Sequence, residues 1–83
     1  MANQQVENPA SILSTLLREL RENMGLTQVE LAARLKVTQS FVSKYESGER
    51  RLDFIEVYEI CGVLGTSFET FSKTFTDRMG IQS

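Results

Sequence analysis

Several residue types on which enzymes and metal sites depend are scarce in this 83-residue chain. Histidine and tryptophan are absent, and Cys61 is the single cysteine. One cysteine excludes an intramolecular disulfide, and without histidine or a second cysteine there is no cluster of metal ligands. The sequence also lacks a Gly-rich phosphate-binding loop and a carboxylate pair in an evident pocket. We therefore expect no enzymatic activity, no cofactor and no metal site.

Long apolar runs are also missing. No uninterrupted apolar segment approaches the roughly 20 residues that a membrane-spanning helix needs, and the polar N-terminus lacks the basic and apolar regions of a signal peptide. We expect a soluble, cytoplasmic protein with no membrane contact. The length suits one domain with a modest core, near the size at which oligomerisation helps stability.

The formal net charge is only −2, but the charge is unevenly distributed. Residues 26–51 carry five basic and three acidic side chains, whereas residues 52–83 carry two basic and five acidic ones. Positive charge concentrated in the middle of the chain favours contact with phosphate on one face. Scatter among so few charges is the alternative.

The most informative stretch is TQVELAARLKVTQSFVSKYES, residues 27–47, which predicts two short helices with almost no room between them. Thr27 is a good N-cap, and Glu30 stands three residues later, where it completes a capping box. Thr38 opens the second helix, and Gly48 supplies its left-handed stop. Because so tight a turn makes the helices cross steeply, the pattern predicts a helix-turn-helix.

Three further helices are predicted around this pair. Pro9 stands at the first position of an N-terminal helix with apolar side chains at helical spacing. Asp53 caps a later helix with a broad apolar face, and Thr66 with Glu69 forms a capping box for the last one. The chain is therefore predicted to be all-α.

The domain boundaries follow from these helices. Residues 1–7 are polar and without periodicity, which predicts a mobile tail, and residues 8–80 form the single domain. The last helix, residues 66–79, carries a stripe of aromatic side chains along one side. The core of so small a domain should cover only the first part of this stripe. We expect Phe75 and Met79 to project into water and to form a dimer interface with Phe71, although packing of the whole stripe within the domain is the alternative.

The run GLTQVELAARLKVTQSFVSKYESGER resembles the DNA-binding domain of the lambda-type phage repressor and Cro family, also called the xenobiotic-response-element family. The resemblance implies a five-helix, lambda-repressor-like DNA-binding domain in which helices 2 and 3 form the helix-turn-helix. Three positions depart from the family pattern: Lys36 stands where many members have Gly, Glu49 where a basic residue is common, and Leu52 where Pro is common. If the turn is the usual one, Lys36 must take a positive φ at a strain of about 1 kcal/mol.

The second helix of such a motif lies in the major groove, where its first turns meet base edges. Its exposed face carries Gln39, Ser40 and Lys44, which can hydrogen-bond to bases. The resemblance and the basic loop after Gly48 together imply a larger set of contacts to DNA phosphate: Gln28, Thr38, Ser43, Arg50 and Arg51.

The resemblance implies two further contacts within the protein. Gln28 braces Gln39, and Arg21 in the first helix pairs with Glu46 near the end of the groove-binding helix. An exposed ion pair of little energetic value is the alternative for Arg21 and Glu46.

We therefore predict a sequence-specific transcriptional regulator, with repression as the expected effect. It binds double-stranded DNA as a homodimer on a two-fold symmetric operator and takes no small-molecule ligand. The alternative is a protein-interaction module of the same fold, such as the antitoxin of a toxin–antitoxin pair or a coactivator bridge.

Overall fold

The computed structural model describes residues 8–80, and the predicted tail of residues 1–7 lies outside them. The described part of the chain folds into five α-helices joined by short connections. They are α1 (Pro9–Asn23), α2 (Gln28–Leu35), α3 (Gln39–Ser47), α4 (Phe54–Val63) and α5 (Phe68–Met79). The all-α prediction and the order of the helices are confirmed.

The core lies where α1 packs against α3 and α5, and where α2 and α5 pack against α4. Its least exposed side chains come from four of the helices: Leu17, Leu31, Val42, Tyr45, Ile60 and Cys61. Burial of one large aliphatic side chain contributes about 1.5–3 kcal/mol to stability. These contacts hold α3 by its inner side and leave its opposite side free.

Two capping boxes fix where α2 and α4 begin. The Thr27 hydroxyl accepts from the Glu30 N–H at 3.0 Å, and the Glu30 carboxylate accepts from the Thr27 N–H at 2.8 Å. Asp53 and Glu56 make the same reciprocal bonds at 2.7 and 2.9 Å. Each box satisfies two backbone donors that a helix start leaves without partners, so both predicted boxes are confirmed.

The turn between α2 and α3 is as tight as the sequence predicts. Lys36 adopts φ 61° and ψ 43°, and the Val37 N–H donates to the Ala32 carbonyl at 3.0 Å. The small side chain of Ala32 is 3% exposed. A left-handed lysine carries a strain of about 1 kcal/mol that glycine would avoid.

The predicted capping box of α5 is wrong by one residue. The cap is Ser67, whose hydroxyl accepts from the Thr70 N–H at 3.1 Å. Thr66 is unavailable because its N–H donates to the Cys61 carbonyl at 3.1 Å, next to the left-handed Gly65 that ends α4. The third helical position is then Thr70, which has no carboxylate to return to the cap.

One expectation about apolar surface is also wrong. Phe75 does not project into water but is half-buried and packs against the core. The broad apolar face predicted for α4 is only partly buried, since Phe54, Ile55 and Tyr58 are 66%, 60% and 58% exposed. The helices of this small domain cover the stripe of α5 better than the outer side of α4.

Candidate nucleic-acid interface

The helix α3 has one face in the core and one in solvent. Val42 and Tyr45 are 0% and 1% exposed, whereas Gln39, Ser40 and Lys44 are all exposed. Burial of the inner face fixes the rotation of the helix about its axis. The three side chains predicted to contact bases therefore lie on the free face, in its first two turns.

Predicted phosphate contacts flank this face. Thr38 is the N-cap of α3, where its hydroxyl accepts from the Phe41 N–H at 3.1 Å and keeps its own proton free to donate. Ser43 is half-buried one turn after Gln39, and Gln28 is half-buried at the first position of α2. The starts of α2 and α3 thus carry neighbouring donors.

A chain of hydrogen bonds joins the core to the start of α3. The Glu46 carboxylate accepts from Arg21 Nε at 2.7 Å and from Arg21 Nη2 at 3.0 Å. The same carboxylate accepts from Gln28 Nε2 at 3.0 Å, and the Gln28 carbonyl oxygen accepts from Gln39 Nε2 at 2.7 Å. One of the predicted base-reading side chains is therefore oriented before any DNA arrives.

The ion pair at the root of this chain is buried. Arg21 and Glu46 are each 8% exposed, and Arg21 Nη1 also donates to the Leu26 carbonyl at 2.7 Å. The hydrogen bond to the Glu46 carboxylate raises the pKa of Arg21 above its ordinary value. Because a buried charge is costly without its partner, removing either residue costs about 3–5 kcal/mol.

The loop after α3 is braced by Arg50 and not left free. Arg50 makes a bidentate pair with Glu56, both bonds at 3.1 Å, and its guanidinium lies 4.5 Å from the centre of the Phe41 ring. The hydrogen bond from Arg50 lowers the pKa of Glu56, and the bond from the Asp53 backbone lowers it further. Both loop arginines are exposed, but Arg50 is held towards Glu56 of α4.

The predicted dimer residues occupy different environments. Phe71 is 4% exposed and belongs to the core of a single chain, so it is not available at the surface of the monomer. Phe75 and Met79 are half-buried. The larger apolar surface lies on the outer side of α4. We call it the α4 face, and it consists of Phe54, Ile55 and Tyr58.

Sequence reasoning missed three contacts of this region. Glu46 also accepts from Gln28, and Arg50 contacts both Glu56 and Phe41. The partners of Arg50 lie six residues after it and nine before it, across a loop, so no helical spacing marks them. Only the presence of a glutamate in the first turn of α4 was a usable signal.

Two kinds of site are absent from the described residues. No helix within residues 8–80 is long and apolar enough to cross a membrane. The same span holds no group of three or more histidine, cysteine, aspartate or glutamate side chains that could bind a metal ion.

Comparison with known proteins identifies the family. The helix-turn-helix family profile matches residues 17–71. An uncharacterized HTH-type transcriptional regulator of Methanothermobacter thermautotrophicus is 40% identical over 53 residues, which cover 64% of this chain and 77% of that protein. A second one, y4dJ of Sinorhizobium fredii, is 42% identical over 48 residues, covering 58% of this chain and 62% of the relative.

A solved structure shares the fold. The restriction-modification controller protein C.Esp1396I, crystallised as a tetramer in complex with its natural 35 base-pair operator, has a TM-score of 0.82 at 21% identity. The match covers 90% of this chain and 99% of that one. The chain belongs to the helix-turn-helix family of the lambda repressor and Cro type, whose members are DNA-binding transcriptional regulators and not enzymes.

Proposed function

We propose that the protein is a sequence-specific transcriptional regulator that inserts α3 into the major groove of its operator. Gln39, Ser40 and Lys44 contact base edges, since glutamine pairs with adenine and lysine with guanine. The observation that carries this proposal is the hydrogen-bonded chain from Arg21 to Gln39. It holds an exposed amide at the start of α3 in one orientation, as base readout requires.

The phosphate contacts in this proposal come from the ends of the two motif helices and the loop after them. Gln28, Thr38 and Ser43 donate to the DNA backbone beside the groove, and Arg51 does so from the loop. A phosphate contact by Arg50 requires its guanidinium to be shared with Glu56 or released from it, because both terminal nitrogens are engaged in the free chain.

The proposed assembly is a homodimer on a two-fold symmetric operator. C.Esp1396I, which has the same fold, binds its operator as a tetramer. We place the dimer contact on the α4 face, with the half-buried Phe75 and Met79 at its edge, because exposed apolar patches of this kind are commonly covered by a partner. A dimer seated on an operator would block transcription, so repression is the proposed effect. Such a regulator acts where the DNA lies, which for a bacterial or phage protein is the cytoplasm.

The α4 face also favours a second candidate. Three large apolar side chains at 58–66% exposure could bind a different protein, as an antitoxin or a coactivator bridge would require. This candidate needs no sequence preference for DNA. A test for sequence preference therefore separates the regulator from the protein-interaction module.

Selection of bound sequences from random double-stranded DNA tests the proposal. Wild type should select a two-fold symmetric motif, and Gln39→Ala or Lys44→Ala should weaken binding and relax one base position in each half-site by about 1–3 kcal/mol. Gln28→Ala should lower affinity for all sequences, partly through phosphate and partly by releasing Gln39.

The matched control is Lys73→Ala, which removes an equal charge from α5, far from α3 in the chain. It should leave the selected motif unchanged. A wild-type protein that selects no motif would refute the regulator and put the protein-interaction module in its place.

A further inference from the structure

The loop after α3, residues 48–52, is held at its beginning by the end of α3. Gly48 takes φ 87°, and the N–H groups of Glu49 and Arg50 both donate to the Lys44 carbonyl, at 2.9 and 3.1 Å. These bonds satisfy a carbonyl that the end of a helix leaves without a partner. The first half of the loop is therefore fixed by its own backbone.

The second half of the loop is held by the Arg50 side chain. Its Nη1 donates to the Arg51 carbonyl at 2.9 Å and to the Glu56 carboxylate at 3.1 Å, and its Nη2 donates to the other Glu56 oxygen at 3.1 Å. Glu56 is itself fixed, because its carboxylate also accepts from the Asp53 N–H at 2.9 Å in the capping box of α4. The guanidinium thus ties the Arg51 backbone to the first turn of α4.

Phe41 of α3 supplies a third contact. The Arg50 guanidinium lies 4.5 Å from the centre of the Phe41 ring, and this ring makes an edge contact with Tyr45 at 5.6 Å between ring centres. Tyr45 is 1% exposed, so the aromatic pair is anchored in the core. We call Arg50, Glu56 and Phe41 the loop clamp. Residues 48–52 include no proline to restrict the backbone, so the order of the loop at Arg51 depends on this clamp.

We propose that the loop clamp positions Arg51 for its phosphate contact and that Arg50 makes no phosphate contact of its own. The proposal rests on the proposed function, because it concerns how the DNA backbone is held beside α3. Both loop arginines are exposed, but the terminal nitrogens of Arg50 are engaged within the chain. A loop that is ordered in the free chain does not have to be ordered when DNA binds, which spares part of the free energy of association. Arg50 and Glu56 are therefore positioning residues, and Arg51 is the residue that meets phosphate.

The sign of one substitution separates positioning from direct contact. Glu56→Gln keeps the capping box, which glutamine also forms, but removes the charge that holds Arg50. If the clamp positions Arg51, operator affinity should fall about two- to tenfold relative to Glu59→Gln, as ordering one or two interface side chains costs, while the slope of log K against log salt stays the same. If Arg50 contacts phosphate itself, its release should tighten binding and steepen the slope by about 0.9, which would overturn the proposal.

Glu59→Gln is the matched control for charge. Glu59 is exposed three residues further along α4, and Arg50 pairs with Glu56 and not with it. Comparison with this variant cancels the general gain in affinity from losing a negative charge near DNA. Sedimentation should show that both variants keep the oligomeric state of wild type.

Arg50→Lys tests the clamp without a change of charge. A lysine ammonium cannot hold the Glu56 carboxylate and the Arg51 carbonyl together as the planar guanidinium does. Affinity should fall about two- to tenfold at an unchanged salt slope, whereas Arg34→Lys, at an exposed position near the end of α2, should have no effect. In an Arg51→Ala background, Arg50→Lys should weaken binding no further. Full additivity of the two substitutions would show that Arg50 acts independently of Arg51 and would overturn the proposal.

A measurement without DNA separates the clamp from the proposed function. Backbone amide relaxation measured by NMR on the free chain should give lower order parameters at Arg51 and Leu52 in Glu56→Gln and Arg50→Lys than in the two control variants. Unchanged order in both variants would overturn the clamp and leave the regulator standing. A wild type that binds no DNA would overturn the proposed function and the role of Arg51 with it, but the loss of order in the two variants would still be seen.

Discussion

The helix-turn-helix half of the domain and the α4–α5 half differ in how completely their side chains are paired. In the first half, a buried ion pair and two glutamines form a continuous chain of hydrogen bonds that ends at Gln39. In the second half, three large apolar side chains of α4 remain exposed, and Phe54 contacts Phe68 with ring centres 4.9 Å apart.

The difference separates the two proposed binding surfaces. The polar surface of α3 is ordered within one chain, so DNA binding does not have to supply the free energy of ordering Gln39. The α4 face is incomplete in one chain, because its apolar groups gain from burial only when a partner covers them. The first surface should therefore be disrupted by mutations far from DNA, and the second by mutations at the surface itself.

The largest expected effect comes from the buried end of the polar chain. Glu46→Ala leaves Arg21 as a buried charge without its partner, which should lower the free energy of unfolding by about 3–5 kcal/mol. It also releases Gln28, so the orientation of Gln39 should be lost. Urea denaturation followed by circular dichroism measures the first effect, and operator affinity under folding conditions measures the second.

Glu22→Ala is the matched control. The Glu22 carboxylate lies 3.9 Å from Arg21, but its side chain is 58% exposed. Its removal should change stability by no more than about 0.5 kcal/mol. If Glu46→Ala costs as little, or if Arg21→Ala and Glu46→Ala add in the double variant, the pair does not stabilise the motif.

The next effect concerns the α4 face. Phe54→Glu should yield a folded monomer, since Phe54 is 66% exposed in one chain, and operator affinity should fall about tenfold or more because the second half-site is no longer held. Sedimentation measures the oligomeric state. Met24→Glu, at a 45% exposed position after α1, should leave the dimer intact. A wild type that sediments as a monomer at high concentration would show that this face serves another partner or none.

The fold could be predicted largely from local signals. Thr27 with Glu30 and Asp53 with Glu56 mark helix starts within four residues of sequence, and left-handed stops such as Gly48 mark helix ends. Such signals depend on donors and acceptors that are close in sequence, so their pairing can be predicted from the sequence alone. The cap of α5 was misassigned because Thr66 is used by the end of α4, a competition that a single motif does not reveal.

The site was predicted less completely, because its contacts are distant in sequence. Family resemblance, not spacing, supplied the pairing of Arg21 with Glu46, which lie 25 residues apart. The phosphate contact predicted for Arg50 stays a prediction, but the contacts of Arg50 with Glu56 and Phe41 in the free chain were not foreseen. The exposure of Phe75 was predicted wrongly for the same reason, because whether its ring is covered depends on which helix lies opposite.

A smaller effect distinguishes the two loop arginines. Arg51→Ala should reduce the magnitude of the slope of log K against log salt by about 0.9, the value for one phosphate contact. Arg50→Ala should change the slope less, because its charge is paired with Glu56, and should change stability little, as expected for an exposed pair. Affinity measured across a salt series gives both slopes, with Arg18→Ala on α1 as the control. Equal slopes for the two loop variants would mean that Arg50 leaves Glu56 when DNA binds.

The smallest expected effect lies in the turn that joins α2 to α3. Lys36 holds φ 61°, so Lys36→Gly should release a strain of roughly 1 kcal/mol, partly offset by the greater freedom of glycine in the unfolded chain. A net gain of about 0.5 kcal/mol in urea denaturation is expected. Lys36→Ala removes the same charge but keeps a Cβ, so it should give no gain, and a comparison of the two isolates the backbone. Gly48, at φ 87°, provides the comparison, because Gly48→Ala should be destabilising. If Lys36→Gly destabilises by as much, contacts of the lysine side chain stabilise the turn by more than its strain costs. The helix-turn-helix half would then depend on more than the hydrogen-bonded chain from Arg21 to Gln39.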